Sequence, residues 1–156
     1  MFLLDSPYAA DKVWDELPEP VQRIIIDRNI NFHVINATEV ARHAGMGKRI
    51  NTIMQVCFFA LSGVLPRDAA ILQIRKAIEK SYRSKGQDVI DKNFAAVDAA
   101  LGHLHEVKVP KRVSNDRPLD DVVPEDAPKF VREVTAQRMR GHGDELPVSK
   151  MPVDGT

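Results

Sequence analysis

A single cysteine, Cys57, stands in a chain of 156 residues. One thiol excludes an internal disulfide. It also excludes a self-contained iron–sulfur site, which takes several thiolates. Charge of one sign is equally lacking: 22 basic residues face 22 acidic ones, for a net charge of zero. Phosphate-backbone binding draws on concentrated positive charge, so no nucleic-acid partner is expected. No apolar run approaches the roughly 20 residues of a membrane span, and no membrane partner is expected. The start, MFLLDSPYAAD, has no basic segment ahead of its short apolar run and does not read as a secretory leader. The expectation is a cytoplasmic protein. No G-x-S-x-G nucleophile elbow is present.

What is there reads as α/β. FLLDS (2–6) is a short apolar run ending at a turn signal, and predicts a buried strand. Val13, Trp14 and Leu17 group on one face of a helix, and EPVQRIIIDR predicts a second short helix with proline in its first turn and Asn29 at its end. INFHVINA alternates, with Ile30, Phe32 and Val34 on one face and Asn31, His33 and Ile35 on the other, which predicts a strand over 30–35. Thr38 is then the expected cap of a helix that turns Val40, Ala41 and Ala44 inward and stops at Gly45. Ile50, Ile53, Met54, Cys57, Phe58 and Leu61 predict a core helix ended by Gly63.

Two amphipathic helices follow. The first starts near Pro66, carries Ile71, Ile74 and Ile78, and stops at Gly86. In the second, Ile90, Phe94, Val97, Leu101 and Leu104 predict a buried seam. HEVKVP offers a closing strand over 105–109, with all three strands expected to be short and parallel. From Pro110 the character changes. Pro110, Pro118, Pro124, Pro128, Pro147 and Pro152 are six of the ten prolines. Residues 1–110 therefore read as a partial three-layer α/β body with a few short, mostly parallel strands flanked by helices. Residues 111–156 read as an extended arm with one short helix around Phe130, Val131, Val134 and Met139.

The segment ARHAGMGKRINTIMQ (41–55) raises the question of phosphate binding. A P-loop spaces G-x-x-x-x-G-K-[ST], but Arg42 stands where the first glycine belongs and Arg49 where the serine or threonine belongs. A dinucleotide fingerprint needs three spaced glycines directly after a strand, and this pair follows a helix. Two readings stay open. One is a helix C-cap and a tight turn, with Lys48 and Arg49 solvated. The other is an anion contact made by Lys48 and Arg49.

His103 and His105 form an H-x-H pair that would share a metal only on a strand, and no third ligand stands near. His33 and His43 are isolated. Cys57 lies in MQVCFF and reads as a packing cysteine. No residue presents itself as catalytic, and none as a metal ligand.

Long ordered stretches carry a resemblance. GMGKRINTIMQVCFFALSGVLPRDAAILQIRKAIEKSY, continued by KGQDVIDKNFAAVDAALGHLHEVKVP and preceded by FLLDSPYAADKVWDELPEPVQRIIIDRNINFHVINATEVAR, resembles the third (gamma, 2-oxoacid:acceptor oxidoreductase) domain of pyruvate:ferredoxin (flavodoxin) oxidoreductases. VVPEDAPKFVREVTAQRMRGHGDELPVSKMPVDGT looks like the linker that leads on toward their ferredoxin-like region. The resemblance implies a fragment or subunit of an enzyme that oxidatively decarboxylates pyruvate to acetyl-CoA and passes electrons to ferredoxin or flavodoxin.

It further implies a parent using thiamine diphosphate, iron–sulfur clusters and coenzyme A, with the remaining domains or subunits as partners and a homodimer as the usual assembly. The cofactor signatures themselves, a G-D-G…N run and C-x-x-C runs, are missing here. No cofactor is therefore expected on this chain itself, and the piece is expected to be structural and inactive alone. A free-standing binder of a phosphorylated ligand such as coenzyme A, or an inactive gene remnant, are the alternatives.

Overall fold

Two four-residue stretches, FLLD and FHVI, set the architecture, because each alternates apolar side chains to both faces of a sheet. Phe2–Asp5 (β1) and Phe32–Ile35 (β2) pair in parallel, from Phe2 opposite Phe32 to Asp5 opposite Ile35. On one face Phe2, Leu4, Phe32 and Val34 join a cluster with Val13, Trp14, Leu17, Ile25 and Val107. On the other, Leu3 and Ile35 join Val40, Ala41, Ile53, Cys57, Ile78 and Val97. The rings of Phe2 and Phe32 stack with centroids 5.1 Å apart. Burial on both faces is the mark of a sheet between helical layers.

The computed structural model describes residues 1–151 and divides into two compact units, the first ending at Arg117. In the first unit, helices α1 (Val13–Glu16) and α2 (Glu19–Asp27) cover one face of the sheet. Helices α3 (Ala37–His43), α4 (Asn51–Ser62), α5 (Arg67–Tyr82) and α6 (Gln87–Ala100) cover the other. The expected α/β three-layer body is therefore present. His105–Glu106 (β3) completes the order β1-β2-β3.

Five local expectations are corrected. β3 runs antiparallel to β2, with His105 opposite Val34 and Glu106 opposite His33. The four helices α3–α6 return the chain to the end at which β2 finishes, so β3 must run back along it. The second and third strands are also shorter than the alternation suggests, at 32–35 and 105–106. The cap of α3 is Asn36, whose Oδ1 accepts the Glu39 amide at 3.0 Å, while Thr38 sits inside the helix. Thr38 donates instead to the Asp5 carboxylate (3.2 Å), which also accepts the Ala37 amide at 2.8 Å. Phe58, assigned to the core stripe of α4, is 45% exposed, because the buried face of that helix is Ile53, Val56 and Cys57. The seam of α6 is likewise turned: Ile90, Asn93, Ala96, Val97 and Ala100 are buried, and Phe94 lies half-covered beneath the Arg75 guanidinium.

Helix ends follow local chemistry. α2 finishes with Asn29 at φ +47°, the Ile30 amide donating to Ile25 O (2.9 Å) and the Asn29 amide to Ile26 O (3.0 Å). This is the paired 6→1 and 5→2 closure of a Schellman motif. The second unit, from Pro118, holds a π-helical turn (Val131–Thr135) running into α7 (Ala136–Met139), closed in the same way at Gly141. Residues 152–156 of the arm lie outside the described residues.

Candidate functional site

The segment singled out by its glycines is a corner between α3 and α4. Gly45 takes φ +71°, its amide donates to Arg42 O at 3.1 Å, and the Met46 amide donates to Ala41 O at 2.8 Å. Met46 packs on the core as the accompanying apolar contact. Gly47 is left-handed as well, at φ +64°. The chain then enters α4 through Ile50 with no side-chain cap.

Lys48 and Arg49 are both exposed, and among the described residues neither forms an ion pair. The corner does form a cavity of about 300 Å³, lined by Gly45, Met46, Gly47, Arg49, Val89, Lys92 and Asn93. The structure brings Arg49 to this cavity and leaves Lys48 off its wall. The second cation there is Lys92, which the sequence reading did not single out; its ammonium lies 2.6 Å from Asp88. Buried Asn93 accepts from Thr52 (3.2 Å) and donates to Val89 O (2.8 Å), tying α4 to α6 below the corner.

The histidine pair is split between elements. His103 ends a 3₁₀ turn (Leu101–His103), and His105 is exposed on β3. Among the described residues, no group of three or more histidine, cysteine, aspartate or glutamate side chains is placed to hold a metal ion. Cys57 is fully buried, and that burial pushes its thiol up to about 11, with a backbone hydrogen bond opposing the shift. A thiol held neutral in this way is neither a nucleophile nor a cluster ligand at neutral pH.

A second cavity, of about 400 Å³, lies between residues 10–15 and 106–110. Asp11, Asp15, Glu106 and Lys108 ring it, with Trp14 in its wall. The indole Nε1 of Trp14 is buried without a hydrogen-bond partner. Local sequence carries no signal for this cavity, because its two walls are distant in the chain and meet only through the β2–β3 pairing and the core cluster that Val13, Trp14 and Val107 share.

The chain leaving β3 is fastened beside it. Gln22, fully buried on α2, donates to Trp14 O (2.8 Å), Leu17 O (3.1 Å) and Ser114 Oγ (3.1 Å) and accepts the Ser114 amide at 2.8 Å. Asn115 donates to Asp15 O (3.0 Å) and Leu17 O (3.1 Å), and the Glu19 amide donates to Arg117 O at 2.8 Å.

Residues 1–102 match a family model described as pyruvate ferredoxin/flavodoxin oxidoreductase. Residues 117–156 match a second model, described as a domain of unknown function. A putative pyruvate-flavodoxin oxidoreductase from Synechocystis is 53% identical over 157 residues, covering 100% of this chain and 13% of the relative. The pyruvate-flavodoxin oxidoreductase of Rhodospirillum rubrum is 58% identical over 154 residues, covering 99% of this chain and 13% of that protein. The pyruvate:ferredoxin oxidoreductase of Moorella thermoacetica is 37% identical over 155 residues, covering 99% and 13%. The chain thus spans 13% of the length of these curated relatives. Among the described residues no helix is long and apolar enough to cross a membrane.

Proposed function

This chain belongs to the pyruvate ferredoxin/flavodoxin oxidoreductase family, and we propose that it serves as a structural segment of a cytoplasmic enzyme that oxidatively decarboxylates pyruvate to acetyl-CoA. Electrons pass from that enzyme to ferredoxin or flavodoxin. Residues 1–110 form part of its gamma domain, and residues 111–156 lead on from it as an arm. The partners are the remaining domains or subunits of the same enzyme, in a homodimeric assembly. The observation that carries this reading is the end-to-end identity to about an eighth of much longer relatives. That identity does not favour a free-standing phosphate binder or a gene remnant.

An iron–sulfur cluster does not fit here, since the one thiol is sealed in the core and held protonated. No step of the reaction is assigned to a residue of this chain. Purified alone, the chain should give no pyruvate- and coenzyme A-dependent viologen reduction. Turnover by the chain without any other protein overturns the reading.

One observation favours a narrower role inside the parent. Arg49 and the Asp88-paired Lys92 both line the corner cavity, with Lys48 exposed next to Arg49 in the chain, which gives the Gly45–Arg49 turn a claim on an anionic group such as a coenzyme A phosphate. Isothermal titration with coenzyme A tests it. Weak binding that disappears in Lys48→Ala/Arg49→Ala supports the contact, and binding unchanged by that double substitution removes it.

A further inference from the structure

We infer that the free edge of β1 is a docking seam for an extended, apolar strand supplied by the part of the oxidoreductase that lies outside this chain. The inference rests on the reading of the chain as a segment of a longer enzyme.

The seam follows from hydrogen-bond direction. The Phe2 amide donates to Asn31 O (2.8 Å) and the Ser6 amide to Ile35 O (3.0 Å), so the even-numbered residues of β1 face β2. Strand alternation turns the N–H and C=O groups of Leu3 and Asp5 the other way. β1 is the last strand on that side, because the sheet order is β1-β2-β3. Among the described residues, no hydrogen bond reaches those outward groups. A row of unpaired backbone donors and acceptors is a template for another strand.

Beyond its short length, β1 carries none of the usual sequence protections of a free edge. Its sequence is FLLD, with no lysine, no proline and an unbroken four-residue register against β2. The one charge, Asp5, is engaged elsewhere: its carboxylate accepts the Ala37 amide and the Thr38 hydroxyl at the start of α3. Both faces beside the edge are apolar, with Leu3 on one side and Phe2 and Leu4 on the other. A strand laid there must be apolar on both faces, as strands between helical layers are.

The described residues supply three strands, against an average of about five to six in a sheet. The relatives supply ample chain for one more, since this segment is only 13% of their length. That reservoir selects the parent's own strand over a second copy of this chain.

The test mixes the chain with the rest of the Rhodospirillum rubrum relative, expressed without its matching segment, and follows amide hydrogen exchange residue by residue. In the free chain, Leu3 and Asp5 should exchange about 100-fold faster than Leu4; in the mixture both should slow by about the same factor. Leu3→Pro removes an outward N–H without touching the β2 ladder, and should weaken association at least about tenfold. If that variant does not fold, exchange in the unaltered chain decides.

A complex that forms with Leu3 and Asp5 still unprotected overturns the seam and leaves the parent-enzyme reading standing. No complex at any concentration overturns both. Protection in the chain alone, rising with concentration together with dimer, makes the occupant a second copy and overturns the occupant named here.

Discussion

Replacing Gln22 with leucine should destabilise the first unit by about 2–3 kcal/mol, although the two side chains are of similar size. Gln22 is fully buried and joins α1, α2 and the segment after β3 through one amide. The substitution deletes two hydrogen bonds of 2.8 Å, to Trp14 O and from the Ser114 amide. Each contributes about 1 kcal/mol net. The acceptors are not stranded: Trp14 O keeps the Leu17 amide (3.2 Å), and Leu17 O keeps Asn115 Nδ2 (3.1 Å). The Ser114 N–H sits on an exposed residue and turns to water, while the longer 3.1 Å bond to Leu17 O is lost as well and adds up to about 1 kcal/mol. The added apolar side chain recovers some of it by burial.

For a unit of this size, 1 kcal/mol moves the melting temperature by about 4 °C, so the expected loss is about 10 °C. Thermal melting by circular dichroism reads it, and urea midpoints check it at fixed temperature. Ser114→Ala, which removes only the 3.1 Å contact to Oγ and keeps the amide, should cost less than about 1 kcal/mol. The reasoning is refuted by a Gln22→Leu loss below about 4 °C, or by Ser114→Ala costing as much as Gln22→Leu.

Cys57 should resist alkylation at pH 8 until urea unfolds the chain, as mass spectrometry of iodoacetamide-treated protein will report, because burial holds its thiol up to about 11. The thiol of the unfolded chain ionises near pH 8.5, so this contribution to stability is fully present below that pH and is lost as pH rises toward 11. Cys57→Ala should flatten that part of the urea-midpoint profile. Asn36→Ala should cost about 1 kcal/mol in urea denaturation through loss of the α3 cap, whereas Thr38→Ala, which loses one partly exposed 3.2 Å contact, should cost less than half as much. Gly45→Ala should cost at least about 1 kcal/mol, since its left-handed φ is fixed by the helix closure and an added Cβ would lie 3.3 Å from Lys92 Cε; Gly47→Ala meets no atom within 4 Å and should cost less, both read from urea midpoints.

Legibility in this sequence tracks sequence separation. Signals that act within a turn or two were readable. Gly45 and Asn29 end helices because the residues just before them need a left-handed partner. The alternation in β2 sends Phe32 and Val34 to one cluster and Ile35 to the other, as period two requires. Thr38 and Asn36 illustrate the limit. Both are competent caps, and the choice depends on the Asp5 carboxylate, 32 residues earlier, which already occupies the Ala37 amide and the Thr38 hydroxyl. The direction of β3 was not readable either, because nothing in HEVKVP records at which end of β2 the helices α3–α6 deliver the chain.

The candidate site shows the same division at longer range. Arg49 could be picked out because a local glycine signal points to it, but its companion cation, Lys92, comes from a helix 43 residues away in the numbering. Gln22 lies in an ordinary amphipathic helix, and its glutamine reads as a solvent-facing residue until Ser114 is laid against it. Only the pairing of β3 with β2 brings that partner within reach. The long resemblance is legible for another reason: it is distributed over many such constraints at once. A chain that must bury both faces of a short sheet, close α2 and α3 at Asn29 and Gly45, and bind its own 114–117 segment over α1 and α2 keeps a pattern that no single motif carries. That explains why the strongest functional signal here is membership of a family, carried by residues 1–102 together and not by any one motif among them.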